Sequence, residues 1–223
     1  VKKYIMKYIF YLLLFFSLSS SAQSINYVDV DGNKQGVWKK TYKNGSLRYE
    51  GTFKDDIAQG IFYYYYKTGE LKLEKEFFHK GTAAATYIYY RSGALQASGL
   101  YVNRLKDSTW NYYNRDSVLV LEETYVNGKL NGVVKTFYDE GQLYELKNYK
   151  DDILVGVWKQ YFLNGKIKLE GSYKEGKREG KQTYFFPNGE IYSSGAYKND
   201  AKYGEWIYYN KEGVQDTVIR YNE

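Results

Sequence analysis

The first question for this chain is whether any residue constellation could do chemistry. His79 is the only histidine. Acid–base catalysis needs a partner and a pocket, and a single histidine in a run of turn residues offers neither. GKREGKQT (Gly176–Thr183) has the outline of a phosphate loop. It places three residues between its glycines where the motif needs four, and Gln182 follows Lys181 where a hydroxyl is required. DVDGN (Asp29–Asn33) hints at a calcium loop but lacks the third acidic step and the closing glutamate, so it reads as ordinary Asp-Gly turn chemistry. Glu50, Glu74, Glu122 and Glu170 recur in one column, yet a retaining carboxylate pair needs a separation of about 5 Å, shorter than one repeat. Salt pairing with lysine is the expected role of that column. With no Ser-His-Asp set, no metal-ligand spacing and no cofactor motif, the chain is expected not to be an enzyme and to use no cofactor or metal.

The elements that carry these residues follow from composition. Aromatic residues make up 20% of the chain, 29 of them tyrosine, with 21 glycines, one proline and no cysteine. Tyrosine, phenylalanine, valine and threonine favour strands and recurring glycine marks turns, so the expected class is all-β. The lack of cysteine removes disulfides and thiolate metal sites. The formal charge of +6 is concentrated at the N-terminus. Without Lys2, Lys3 and Lys7 the balance falls from 32 basic against 26 acidic residues to 29 against 26, a mixed surface unlike that of a nucleic-acid binder. Residues 1–22 read as a secretory signal: those lysines, then the apolar run YIFYLLLFFSL (Tyr8–Leu18), then small residues at Ser20 and Ala22 suited to cleavage before Gln23. The run is too short to cross about 30 Å of hydrocarbon, so no integral span is expected after cleavage, and the mature chain is expected to be exported to the periplasm, the outer membrane or the exterior.

The rest of the chain is periodic. GVWKKTYKNGSLRYEGTFKDD (Gly36–Asp56) returns as GVWKQYFLNGKIKLEGSYKEG (Gly156–Gly176). Steps of 24 from Gly36 land on Gly60, Ala84, Ser108, Gly132, Gly156, Gly180 and Gly204, and position 18 of every unit is aromatic, from Phe53 to Tyr221. The organisation is therefore a signal peptide (1–22), a capping strand and turn (23–35), and eight units at 36–59, 60–83, 84–107, 108–131, 132–155, 156–179, 180–203 and 204–223. Asn-Gly at positions 9 and 10 marks a two-residue hairpin turn with both residues at positive φ. That register seats Tyr42 opposite Leu47, Lys40 opposite Tyr49, Trp38 opposite Gly51, and Gly36 opposite Phe53; in the sixth unit Trp158 meets Gly171 and Gly156 meets Tyr173. A ring can lie over a bare glycine backbone, so each glycine is expected under the ring of its own partner. Trp38, Gly51, Phe53, Trp110, Trp158, Gly171, Tyr173 and Trp206 form the expected repeat core. The other face carries Lys, Arg and Glu, together with a row of rings at position 6: Tyr65, Tyr89, Tyr113, Phe137, Tyr161, Phe185 and Tyr209. Stacked units give an elongated single-sheet antiparallel array of about sixteen strands, twisted and curled, in which each hairpin is stabilised by its neighbours.

These residues resemble the MORN repeat, and most closely its bacterial variant G.W..YY.NG.L..E..Y..G, found in exported proteins and in YwqK-like antitoxins. The resemblance covers 36–223 and is weakest in units 3 and 4, where Ala84, Thr86, Ser108 and Ser117 break the pattern. It implies an elongated hairpin array used for binding. The expected function is an exported binding or scaffold protein that presents the position-6 row to a protein or cell-envelope partner, with no nucleic acid. A carbohydrate- or peptidoglycan-binding module and a toxin-neutralising partner are the alternatives. The edge strand near Asp216–Tyr221 could also pair end to end with a second copy, or be guarded by Asp216, Arg220 and Glu223.

Overall fold

The structure, a computed structural model, describes residues 24–221. The expected signal peptide and Glu223 lie outside these residues. Among them there is no helix: twenty strands form one open antiparallel sheet. The eight units supply two long strands each, as in Lys34–Thr41 with Leu47–Lys54. Units 5 to 7 each break their first strand just before the position-1 glycine, as at Lys129–Leu130 and Gly132–Phe137. The remaining strand, Tyr27–Val28, pairs with Lys34 and Gln35 at one end of the sheet.

The central part of the expected hairpin register is observed. Gly36 faces Phe53, Trp38 faces Gly51 and Lys40 faces Tyr49; Gly156 faces Tyr173 and Trp158 faces Gly171. Near the turn the register departs from expectation. Thr41, not Tyr42, faces Leu47, which leaves Arg48 as an extra residue on the second strand. The cause is the turn. Gly45 N–H donates to the Tyr42 carbonyl and Tyr42 N–H to the Ser46 carbonyl. Gly45 alone has positive φ, at 85°. This is the three-residue loop with a glycine bulge, not the two-residue turn that Asn-Gly suggests. The tight two-residue turns instead join one unit to the next. Asp55 and Asp56 (φ 52° and 61°), Asn103 and Arg104, and Asp151 and Asp152 all take positive φ there. Asp and Asn tolerate this conformation better than most residues.

The shifted register moves a row of side chains. Position 12, expected opposite position 7, pairs with position 6: Tyr65 with Leu71, Tyr89 with Leu95, Tyr113 with Leu119. Directly paired residues share a face, so the leucine row lies beside the position-6 rings.

A second irregularity builds the core. Between Glu50–Tyr63 and Thr52–Gln59 the ladder shifts, so that Gly60, Ile61 and Phe62 oppose the single residue Gly51. Gly60 sits at φ 62° in this bulge. The bulge swings Phe62 onto Gly51, where an added Cβ would lie 2.3 Å from the ring. Trp110 covers Gly99 and Trp206 covers Gly195 in the same way. The ring over each glycine therefore comes from the following hairpin, and the expectation that Trp38 covers Gly51 is corrected accordingly. Gly156 lies under no ring, since nothing approaches a Cβ there, and the positive φ of Gly36 and Gly156 is what requires glycine. At Gly171 the cover is the Gln182 side chain, not an aromatic ring. Trp110 is 1% exposed and Trp206 fully buried.

At unit 4 the bulge position is Ser108, at φ 58°, and the hairpin-turn position is Ser117, at φ 63°. A side chain held in this region costs about 1–2 kcal/mol, partly offset because glycine loses more entropy on folding. Ser108→Gly combined with Ser117→Gly is expected to raise stability by about 1–2 kcal/mol, readable as a higher midpoint in urea.

Candidate functional site

Two surfaces stand out, one on each side of the sheet. The first carries the position-6 row. Tyr65, Tyr89, Tyr113, Phe137, Tyr161, Phe185 and Tyr209 are all half-buried, while Thr41, the exception in the row, is exposed. The Glu column lies on the same side. Glu50 pairs with Lys39 at 2.9 Å, Glu170 with Lys159 at 2.8 Å and Glu122 with Lys135 at 2.7 Å, so the expected salt pairing is present at three of the four, while Glu74 stands opposite Tyr63 and Tyr87 and pairs with no cation among the described residues. The Tyr65 hydroxyl donates to Glu50 Oε1 at 2.8 Å. Lys39 and that hydroxyl hold the Glu50 carboxyl below its usual range. Burial, with Glu50 beside it, pushes the Tyr65 hydroxyl up to about 12. Tyr89 is likewise raised, by burial and then by Glu74.

The row is widened where the sequence reading saw only the strand. Tyr63 and Tyr87, at position 4, stand two residues before Tyr65 and Tyr89 and so point to the same side. Tyr63 is the register partner of Glu50 and Glu74, and Tyr87 of Glu74 and Ser98. Tyr87 is among the exposed large side chains, at 41%. Units 2 to 4 thus carry a patch of five tyrosines (63, 65, 87, 89 and 113) interleaved with Glu50 and Glu74. The signal was present as YYYY (Tyr63–Tyr66) and as TYIYY (Thr86–Tyr90), and taking one position per unit hid it.

Tyrosines at position 7 have a structural task. The Tyr42 hydroxyl donates to the Tyr65 carbonyl at 2.8 Å. Tyr66 does the same to Tyr89, Tyr90 to Tyr113 and Tyr138 to Tyr161. Each strap ties a hairpin to the backbone of the next. Tyr66→Phe removes one strap and leaves the Tyr89 carbonyl short of a donor, so a loss of about 1 kcal/mol is expected in denaturant titration.

The second surface is the glycine-and-ring face. There a cation at position 23 caps the rings: Lys106 Nζ lies 4.8 Å from the Trp110 ring centre and 4.7 Å from that of Tyr125. Lys202 Nζ lies 4.2 Å from Trp206, and the Arg178 guanidinium 4.2 Å from Tyr197. These contacts hold the core face closed at its turn-side margin.

The structure also places the residues first weighed for chemistry. His79 is in a turn, at φ 47°. Asp29 Oδ1 accepts from the backbone N–H groups of Asp31 and Asn33, and Oδ2 accepts from Gln35. Within GKREGKQT, Arg178 pairs with Asp200 at 3.2 Å. At the end strand, Arg220 pairs with Glu205 at 2.9 Å.

Four stretches of the chain match the MORN repeat variant family: residues 34–55, 130–151, 154–175 and 178–199. Each matched stretch starts at position 23 of the preceding unit, so the matches coincide with hairpins 1, 5, 6 and 7 of the array. Hairpins 2 and 8 share the fold of these MORN-type units but carry Lys75 and Ile219 where Gly51 and Gly171 sit. MORN repeats are in general modules that bind proteins or membranes. None of the curated proteins compared with the chain matches it. Among the described residues, no helix is long and apolar enough to cross a membrane.

Proposed function

We propose that this chain is a non-enzymatic, exported binding or scaffold protein of the bacterial cell envelope, and that the tyrosine patch of hairpins 2 to 4 docks a protein partner. The observation that supports this reading is the concentration of Tyr63, Tyr65, Tyr87, Tyr89 and Tyr113 on one side of a sheet stiffened by neighbouring hairpins. Tyrosine offers a large rigid apolar surface with a polar tip at low entropic cost, which suits interfaces. A rigid array that keeps its rings in register spends little ordering energy on association.

The test is affinity purification of the tagged full chain from the native envelope, with mass spectrometry. Tyr87→Ser, Tyr89→Ser and Tyr113→Ser together are expected to lower partner capture by at least about tenfold, since hot-spot tyrosines each contribute about 2 kcal/mol or more. Retained capture by folded variant protein would refute the reading. Capture of glycan strands in place of a protein would favour the carbohydrate alternative. Export is tested separately by fractionation with N-terminal sequencing: a mature chain starting at Gln23 outside the cytoplasm is expected, and a cytoplasmic chain would revive the toxin-neutralising alternative.

A further inference from the structure

The repeat fails at one junction, and the failure opens a cavity. Everywhere a glycine stands at position 16 the side chain at position 3 of the next hairpin covers it. In hairpin 2 that position is Lys75, and the following position 3 is Thr86. Position 1 of hairpin 3 is Ala84, which does not adopt the positive φ of the bulge glycines. The ladder between hairpins 2 and 3 accordingly runs straight, from Leu73–Ile88 to Phe78–Ala83. The residues released from the bulge enlarge the connection to His79–Thr82. No position-3 ring folds across Lys75, and a groove of about 620 Å³ remains on the core face. Phe53, Phe62, Tyr64 and Phe77 line it, with Lys75 in its wall and Lys80 and Arg104 at its rim. A further space of about 310 Å³ adjoins it and shares Lys75, Phe77 and Arg104.

Charge distinguishes this groove from the rest of the face. Lys147 occupies the same repeat position as Lys75 and pairs with Glu145 at 2.7 Å. Among the described residues Lys75 has neither a carboxylate nor a hydrogen-bond acceptor; its Nζ lies 4.4 Å from the Tyr101 ring centre. Burial pulls the Lys75 ammonium below its ordinary range, the sign of a cation short of compensating charge. The one carboxylate in the lining, Asp56, already accepts the Lys34 N–H at 3.0 Å. A half-buried ammonium with apolar walls around it matches a single negative charge on an apolar body. A dianion would bring more charge to desolvate than one buried ammonium offsets. The volume is that of a small-molecule site.

We propose that the groove on hairpin 2, bounded by the end of hairpin 1 and by Arg104 of hairpin 3, binds a small organic monocarboxylate, with its carboxylate on Lys75 and its alkyl or aryl body against Phe62 and Phe77. The site lies on the opposite side of the sheet from the tyrosine patch and does not depend on it. The test uses the ¹⁵N-labelled full chain titrated with octanoate and with octan-1-ol. Octanoate is expected to give saturable shifts at the amides of Lys75, Gly81 and Arg104 and to bind at least about tenfold more tightly than the alcohol, the usual worth of a charge-assisted contact. Lys75→Met is expected to abolish that preference. Lys80→Asn with Arg104→Asn, both in exposed turns, is expected to weaken octanoate about two- to fivefold. The proposal is overturned by any of three results: no saturable shift up to about 10 mM octanoate, a range that already includes weak millimolar affinities; equal binding of acid and alcohol; or an undiminished preference in Lys75→Met. Should Lys75→Met fail to fold, unchanged octanoate affinity in the rim variant overturns it.

Discussion

Trp110→Ala is expected to be the most damaging single substitution in the array, at about 3–5 kcal/mol. The indole is 1% exposed. It covers Gly99 of the preceding hairpin, packs edge-on to Tyr101 at 5.0 Å and donates its N–H to the Leu100 carbonyl at 3.0 Å. Truncation therefore removes a ring, bares a strand backbone and takes a donor from a carbonyl at once. In a chain of this length such a loss lowers Tm by roughly 6–20 °C. Because each hairpin touches only its neighbours, the damage falls on the seam between hairpins 3 and 4, where a second, lower transition is expected in calorimetry. Trp158 provides the comparison. It is half-buried, its N–H goes to Glu145 Oε1 at 2.9 Å, and the residue under it at position 16 of the preceding hairpin is Lys147, not glycine. Trp158→Ala is expected to cost about half as much, which the same calorimetry would show.

Gly99→Ala is expected to be the second largest, although it adds only one methyl group. The new Cβ would lie 2.3 Å from Trp110, against the body of a buried ring that has nowhere to go. Overpacking of this kind costs typically about 1–3 kcal/mol, and the rigid partner puts this site at the upper end. Gly171→Ala meets Gln182 Cγ at 3.2 Å, a flexible side chain that can yield. A loss below about 1 kcal/mol is expected there. Equal losses at the two glycines would mean that backbone freedom, not ring cover, explains why glycine occupies position 16.

These contrasts show what a single sequence reveals of such a fold. The 24-residue period, the all-β class and the pairing of Trp38 with Gly51 could be read directly, because alternation along a strand and a fixed spacing leave little choice of register. The bulge at Arg48 could not. Asn44-Gly45 satisfies both a two-residue and a three-residue turn, and only the hydrogen bond from Tyr42 N–H to the Ser46 carbonyl decides between them. The covering of Gly51 by Phe62 depends on a second bulge at Gly60, a relation between hairpins that no single hairpin's pattern contains. The same holds for the hydroxyl straps, where partners lie 23 residues apart. On the candidate site, the position-6 row was visible as a column. The position-4 tyrosines that widen it fall in units 2 and 3, and the groove at Lys75 forms where unit 2 meets the irregular unit 3, whose Ala84 and Thr86 break the pattern. Departures from the repeat are where this array can carry anything specific.

The central claim is that the position-16 glycines of hairpins 1, 3 and 7 are each closed by the ring of the following hairpin. Nuclear Overhauser contacts in the labelled full chain test it most directly. The account predicts strong contacts from Gly51 Hα to the Phe62 ring, from Gly99 Hα to Trp110 and from Gly195 Hα to Trp206, with those glycine protons shifted upfield. Contacts from Gly51 Hα to the Trp38 ring, with none to Phe62, would contradict it.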